Sequence, residues 1–120
     1  MHELSVAESI LNISCDYATR SGASRVTAID LVIGQLSSIV DDSVMFYWDF
    51  VAENSICEGA QLRFTRTPAR LQCLDCELEY TIPDQLSPCP RCSSFHVRIV
   101  AGEEFYVDSI EIEKEELKTP

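Results

Sequence analysis

Four cysteines arranged as two C-x-x-C pairs carry the clearest chemical signal in this 120-residue chain. The first pair is Cys73 and Cys76, and the second pair, after twelve intervening residues, is Cys89 and Cys92. A C-x-x-C turn brings two sulfur atoms to the same side of a short loop, and two such turns present four thiolates in the tetrahedral arrangement that Zn²⁺ prefers. Because four thiolates leave no coordination position for water or substrate, we expect a structural zinc site without catalytic chemistry.

Three alternatives use the same residue types. A pair of disulfides requires an oxidising compartment, which nothing in the sequence indicates. A redox-active C-x-x-C motif normally begins a helix in a βαβ unit, and one copy is enough. A rubredoxin-like iron site has the same four thiolate ligands, and the spacing alone does not distinguish iron from zinc. Ligand type and spacing favour zinc.

Charge and composition argue against several classes of partner. Twenty acidic and nine basic residues give a formal net charge of −11 at pH 7. Such a surface repels phosphate backbones, so we expect no nucleic-acid partner. The sequence has no run of about 18 apolar residues that would span a membrane, and its first residues lack the basic region of a signal peptide. Six cysteines without a secretion signal indicate a reducing compartment, and we expect a cytoplasmic protein.

Hydrophobic periodicity predicts two helices and three strands outside the cysteine segment. Apolar residues at helical spacing predict a first helix over residues 3–21, with Gly22 as the residue that ends it. A second helix is predicted from an N-terminal cap at Asp41 or Asp42 to about Cys57. Its dense aromatic residues are interpreted as core side chains. Alternating apolar residues predict strands over three ranges, 25–34, 60–67 and 106–114.

These elements predict an α+β fold in which two helices pack on a three-stranded sheet. The cysteine segment lies between the second and third predicted strands. We therefore expect a small zinc-ribbon-like domain, residues 70–100, inserted into an α+β domain formed by residues 1–69 plus 101–120.

Catalytic arrangements are not evident in the sequence. Histidine occurs only at His2 and His96, and no Ser-His-Asp or Cys-His arrangement can be assembled from the motifs. There is also no glycine-rich phosphate loop with a lysine. We expect a protein that is not an enzyme.

His2 offers a different chemistry, because a histidine at position 2 presents the α-amine, its own backbone amide and its imidazole in succession. Together these nitrogens form a five-membered and a six-membered chelate ring, an arrangement that suits Ni²⁺ or Cu²⁺. The first backbone N–H groups of a helix have no intrahelical partner, so the amides of His2 and Glu3 are available. Position alone favours the simpler interpretation, a polar residue that binds no metal.

Four features occur together in this chain. They are the opening Met1-His2-Glu3-Leu4-Ser5, the segment Ile33-Gly34-Gln35-Leu36-Ser37, the acidic and aromatic second helix, and the two C-x-x-C pairs. This combination resembles the HypA/HybF family of nickel metallochaperones for [NiFe]-hydrogenase maturation, and the resemblance covers the whole chain. It implies a cytoplasmic protein with a structural zinc domain and a separate nickel site. By this resemblance the four cysteines are zinc ligands, His2 is the essential nickel ligand and Glu3 lies beside it.

The resemblance also implies partners. Members of the family work with a nickel-handling GTPase and deliver Ni²⁺ to the hydrogenase large subunit, and some also serve urease maturation. Some relatives add a histidine of the zinc module to the nickel site, for which His96 is an approximate match. Two alternatives remain open on sequence alone: a zinc-ribbon adaptor that docks other macromolecules without nickel transfer, and a redox C-x-x-C protein.

Overall fold

The structure, a computed structural model, describes residues 3–82 and 86–114. Two helices and six strands lie in this part of the chain: α1 (Glu3–Arg20), β1 (Arg25–Gly34), α2 (Asp41–Val51), β2 (Gln61–Thr67), β3 (Ala69–Cys73), β4 (Glu79–Ile82), β5 (Val97–Ala101) and β6 (Phe105–Glu113). The strands form two three-stranded sheets, with the orders β2-β1-β6 and β4-β3-β5. The predicted α+β class is confirmed.

Contacts divide the chain into two compact units. The helical unit comprises Met1–Leu31, Ile39–Phe64 and Val107–Pro120, and the cysteine unit comprises Val32–Ser38 and Thr65–Tyr106. Strands β1, β2 and β6 contribute residues to both units. The domain boundaries expected from the sequence, 1–69 plus 101–120 and 70–100, stay a prediction.

Helix α1 has the amphipathic character that its sequence predicts. Val6, Ala7, Ile10 and Ala18 are buried along one side. The helix ends in a Schellman motif, because the N–H of Ala23 donates to the carbonyl of Ala18 at 2.9 Å and the N–H of Gly22 donates to Thr19 at 3.1 Å. Gly22 has a φ of 74°, a conformation that glycine adopts without steric cost, so the predicted helix end is confirmed.

Helix α2 differs from its prediction at both ends. The N-cap residue is Val40, which has no side-chain capping hydrogen bond, and both predicted caps, Asp41 and Asp42, lie in the first turn. There the positive end of the helix dipole favours their carboxylates. The helix ends at Val51 instead of Cys57, since the chain enters a series of turns in which Asn54 has a φ of 64°.

The core interpretation of the aromatic residues in α2 holds only in part. Val44 and Trp48 are buried, and the indole N–H of Trp48 donates to the carbonyl of Ala60 at 3.2 Å. Phe46 and Phe50 are 63% and 65% exposed and contact each other edge to face, so the interpretation was wrong for these two rings. Helical spacing alone does not distinguish the side of the helix that faces the core from the side next to it.

Strand β1 is the central strand of its sheet, and its side chains are buried on both faces, with Ile29, Leu31 and Ile33 among the most enclosed. Within the helical unit, the guanidinium of Arg63 donates two hydrogen bonds to Asp30, at 2.6 and 2.8 Å. Arg63 also donates to Glu111 at 2.9 Å, and the hydroxyl of Ser109 donates to Asp30 at 2.9 Å. Side chains of β2 and β6 are thereby joined through one carboxylate of β1.

The cysteine unit has a small apolar core of its own. Ala69, Leu71 and Ile82 are buried, and Leu36, Tyr80 and Val97 pack against them. Strand β3 pairs antiparallel with β4 on one side and with β5 on the other. The segment expected to form a zinc-ribbon-like domain is thus built around a three-stranded sheet.

Neither described helix has the length and apolarity needed to cross a bilayer.

Candidate metal centre

Strand β3 and two tight turns position the four cysteines. Cys73 is the last residue of β3, where it pairs with Val97 of β5, and Cys76 follows in the next turn. Cys89 and Cys92 belong to a second turn that precedes β5. Because β3 pairs with both β4 and β5, the backbone that carries the first turn is fixed on both sides.

The two turns have the same hydrogen-bond pattern. In the first, the N–H of Cys73 donates to the carbonyl of Leu78, and the N–H of Glu77 donates to the carbonyl of Cys73, both at 2.9 Å. In the second, the N–H of Cys89 donates to Ser94 at 2.9 Å, and the N–H of Ser93 donates to Cys89 at 2.7 Å. The fifth residue of each turn is left-handed, with φ of 67° at Glu77 and 62° at Ser93. A left-handed non-glycine residue costs about 1–2 kcal/mol, which ligation at two such turns would offset.

The sulfur atoms of all four cysteines lie within 4.8 Å of one another. The contacts between the turns are short, with the sulfurs of Cys73 and Cys92 at 3.5 Å and those of Cys76 and Cys89 also at 3.5 Å. A tetrahedron with Zn–S bonds of about 2.3 Å has sulfur–sulfur edges of about 3.8 Å. The observed range fits one tetrahedral thiolate-bound ion.

Burial differs among the four thiols: Cys73 and Cys89 are buried, Cys76 is half-buried and Cys92 is exposed. A bound ion would therefore be closed off on one side by protein and would lie near solvent on the side of Cys92. With four ligand atoms converging, the arrangement offers no open position for a substrate.

Electrostatics at the cluster favour bound positive charge. A backbone hydrogen bond at Leu78, aided by the Arg91 side chain, lowers the pKa of Cys76 to about 6. At Cys92 a backbone hydrogen bond at Ser94 favours the thiolate, but the thiol of Cys73, together with desolvation, outweighs it and raises the pKa to about 12. Four thiolates this close repel one another, and a divalent cation among them removes that repulsion.

Arg91 was not among the predicted site residues, although its position inside the second C-x-x-C pair is a usable signal. Its guanidinium donates to the carbonyl of Cys76 at 2.8 Å, which joins the second cysteine turn to the first.

His96 lies close to the cysteine turns but outside the group of four potential ligands that the described residues bring together. Its Nδ1 is 3.2 Å from the carboxylate of Asp75, and its backbone N–H donates to the hydroxyl of Ser94 at 3.0 Å. Ser94 donates to Asp75, and this hydroxyl together with His96 holds the pKa of Asp75 below its usual range.

The predicted nickel ligands are only partly within the structure. His2 lies outside the described residues. Glu3 is the first residue of α1 and is half-buried. The nickel-binding roles of His2 and Glu3 therefore stay predictions.

Comparison with known proteins identifies relatives along almost the whole chain. The family model described as "Hydrogenase/urease nickel incorporation, metallochaperone, hypA" matches residues 1–112. The hydrogenase maturation factor HypA of Dehalococcoides mccartyi strain CBDB1 is 36% identical over 115 residues, covering 96% of this chain and 97% of the relative. The HypA of Caldanaerobacter subterraneus subsp. tengcongensis is 37% identical over 114 residues, covering 94% and 100%.

Solved structures show the same likeness. The solution structure of the Ni metallochaperone HypA from Helicobacter pylori aligns with a TM-score of 0.69 at 27% identity, covering 96% of this chain and all of that one. A second solution structure of a HypA protein aligns with a TM-score of 0.71 at 27% identity, covering 96% and 98%. The names of these relatives describe metallochaperones and maturation factors rather than enzymes. On this evidence, the chain belongs to the HypA family of hydrogenase/urease nickel-incorporation metallochaperones.

Proposed function

We propose that this protein binds Ni²⁺ at its N-terminus and delivers it, with a nickel-handling GTPase, to the large subunit of [NiFe]-hydrogenase. The observation that carries the proposal is the match of the nickel-incorporation family model over residues 1–112. Urease maturation factors are further candidate partners, since the family description names urease as well. The net charge of −11 supports protein partners rather than nucleic acid, and six free cysteines agree with a cytoplasmic location.

The four cysteines are assigned to a structural Zn²⁺. Their sulfur distances match a tetrahedral thiolate site, and all four coordination positions are filled by protein. An ion held in this way exchanges slowly and supplies folding free energy to the small core around it. A delivered ion needs a separate and more open site, which supports placing nickel elsewhere.

Nickel is assigned to the α-amine of Met1 and to the backbone amide and imidazole of His2, with Glu3 as a secondary candidate ligand. Glu3 begins α1, and the first N–H groups of a helix lack intrahelical acceptors. Planar nitrogen-rich ligation of this kind suits Ni²⁺. His96 is the additional candidate ligand, and its exposed position at the surface of the cysteine unit leaves it accessible.

Nickel titration of the zinc-loaded protein, free of any N-terminal extension, tests the proposal by calorimetry or equilibrium dialysis. We expect one Ni²⁺ per chain and weaker binding as the pH falls, because protons compete for the amine and the imidazole. His2→Ala should weaken nickel binding by about 100-fold or more, because removing a direct ligand costs at least as much as removing the groups that orient one. Zinc content and the circular dichroism spectrum should not change.

His96→Ala removes the other histidine of the chain and tests the additional candidate ligand, so its loss of nickel affinity should be smaller than that of His2→Ala. A short N-terminal extension should reproduce the effect of His2→Ala, because it converts the α-amine into a peptide nitrogen. Unchanged nickel affinity in both the His2→Ala protein and the extended protein would rule out the N-terminal site. A protein that binds zinc but no nickel would instead be the zinc-ribbon adaptor.

A further inference from the structure

Two cysteines outside the candidate metal centre meet in the helical unit. Cys15 lies in α1, and Cys57 lies in the turns that follow α2, 42 residues later in the sequence. Their sulfur atoms are 3.5 Å apart, and both cysteines are free thiols. Neither residue has a role in the proposed zinc or nickel chemistry.

The backbone holds both partners of this pair in place. The N–H of Cys57 donates to the hydroxyl of Ser55 at 3.1 Å, and its carbonyl accepts the N–H of Ala60 at 3.0 Å. The preceding carbonyl, that of Ile56, accepts a hydrogen bond from Val26 of β1 at 2.8 Å. Cys15 belongs to a regular part of α1, next to the buried Ser14. Their proximity is therefore a consequence of the fold rather than of a loose chain end.

The two thiols differ in access to solvent. Cys57 is fully buried, whereas Cys15 is half-buried. Burial, together with the neighbouring thiol of Cys15, raises the pKa of Cys57 to about 12. A reagent arriving from solvent therefore meets Cys15 first, and Cys57 is positioned to react with whatever forms there.

We propose that Cys15 and Cys57 are a reversible oxidation site, at which a small-molecule disulfide such as oxidised glutathione converts the two thiols into an intramolecular disulfide. Closing the bond requires the sulfur atoms to approach from 3.5 Å to about 2.05 Å, which side-chain rotation and small backbone adjustments can provide.

The reaction proceeds through two thiol–disulfide exchanges. The thiolate of Cys15 attacks one sulfur of the reagent, forming a mixed disulfide and releasing one glutathione thiolate, which takes up a proton. Cys57 then loses its proton, its sulfur attacks the sulfur of Cys15, and the second glutathione leaves as a thiol. The protein loses two electrons and two protons, and the reagent gains them as two thiols. The new bond joins α1 to the segment after α2.

Peptide mapping tests the proposal on the full zinc-loaded chain. The reduced protein is equilibrated with mixtures of oxidised and reduced glutathione, quenched with acid, alkylated and digested with trypsin. Cleavage after arginine places Cys15 in Met1–Arg20 and Cys57 in Val26–Arg63. The other four cysteines fall in Leu71–Arg91 and Cys92–Arg98, so linkages among them are distinguishable by mass from the proposed one. We expect the cross-linked peptide pair as the main oxidised product, formed without loss of zinc and reversed by dithiothreitol.

Two variants test the order of reaction. Cys57→Ser should leave Cys15 as a stable mixed disulfide with glutathione, whereas Cys15→Ser should leave the buried Cys57 unmodified. The wild-type oxidised protein should also melt at a temperature higher by about 5 °C or more, since the bond closes a long loop. The proposal is overturned if wild-type Cys15 and Cys57 are both recovered alkylated, if Cys15 carries glutathione without a cross-link, or if disulfides form only among the other four cysteines. The peptide map of the wild-type protein tests the proposal even if a variant fails to fold.

Discussion

At the scale of single residues, the carboxylate of Asp30 shows how side-chain chemistry ties a sheet together. Hydrogen bonds from Arg63, and then from Ser109, hold the pKa of Asp30 below its usual value. A carboxylate whose pKa is lower in the folded state stabilises the protein above its unfolded-state pKa, which is about 3.9 for aspartate. That contribution is lost as the pH falls through the lower, folded-state pKa.

Arg63→Met should therefore lower the free energy of unfolding at pH 7, and the difference from wild type should shrink as the pH falls below about 4. Urea unfolding followed by the fluorescence of Trp48 measures this, because the only tryptophan is buried in the helical unit. Arg20→Met is the control, since Arg20 pairs with Asp16 at an exposed position and should have little effect at either pH. A loss of stability in Arg63→Met that is independent of pH would show that packing, not charge, is responsible.

At the scale of elements, Gly34 shows why one residue of the Ile33–Ser37 segment has no side chain. A Cβ atom at Gly34 would collide with the carbonyl group of Gly102 and would lie 2.6 Å from the backbone nitrogen of Glu103. The same approach allows the N–H of Gly34 to donate to Glu104 at 2.7 Å and the N–H of Leu36 to donate to Gly102 at 2.8 Å. The close backbone contact thus places Leu36 against the core of the cysteine unit.

Gly34→Ala should destabilise the cysteine unit by about 3 kcal/mol, the upper end of the usual range for overpacking, because the colliding atoms belong to the backbone and cannot rotate away. Zinc release to a chromogenic chelator during urea titration measures this. Gly59→Ala is the matched control: Gly59 has a φ of 76°, and a methyl group there would meet no heavy atom within 4 Å, so only left-handed strain of about 1 kcal/mol is expected. Equal effects of the two substitutions would exclude the steric explanation.

Local sequence patterns predict most helices and strands well, and they fail where tertiary contacts determine the secondary structure. The strand expected at 25–34 matches β1, and the helix expected at 3–21 matches α1 to within one residue. The predicted end of α2 lies six residues too late. Cys57 is a small apolar residue that is buried, as a core-facing helix residue would be, but it lies in a turn after the helix. Strand β5 has two half-buried residues and three exposed ones, so its sequence shows no alternation of apolar and polar residues that could reveal it.

The part of the candidate site that depends on local chain geometry could be predicted from the sequence. The type and spacing of four cysteines in two short turns favour a metal site, and the structure brings their sulfurs together. The meeting of Cys15 with Cys57 left no sequence signal, because it depends on how α1 packs beside the turns that follow α2.

At the scale of the whole molecule, the helical unit and the cysteine unit differ in how much apolar core supports them. The helical unit buries large side chains from several elements, including Ile10, Ile29, Leu31, Val44 and Trp48. The second core contains Ala69, Leu71 and Ile82 with three partly buried neighbours. A core of that size gives little support to a unit of about 50 residues, so we expect the cysteine unit to depend on a bound metal ion.

Removal of the ion should therefore unfold the cysteine unit and leave the helical unit folded. Cys73→Ser removes one of the four ligands, and we expect zinc content to fall and the amide protection of β3, β4 and β5 to decrease by about 1,000-fold or more, because metal binding supplies most of the folding free energy of such small modules. The amides of α1 and α2 and the fluorescence of Trp48 should change little, since Cys73 is in the other unit. Hydrogen exchange read by mass spectrometry reports both units in one experiment.

Cys15→Ser is the control for loss of a thiol, and it should retain zinc and protection throughout. If Trp48 becomes exposed in Cys73→Ser, the two units unfold as one, and the metal stabilises the entire chain. If instead β3 to β5 keep their protection without zinc, the apolar core of the cysteine unit suffices, and the structural role proposed for the ion is wrong.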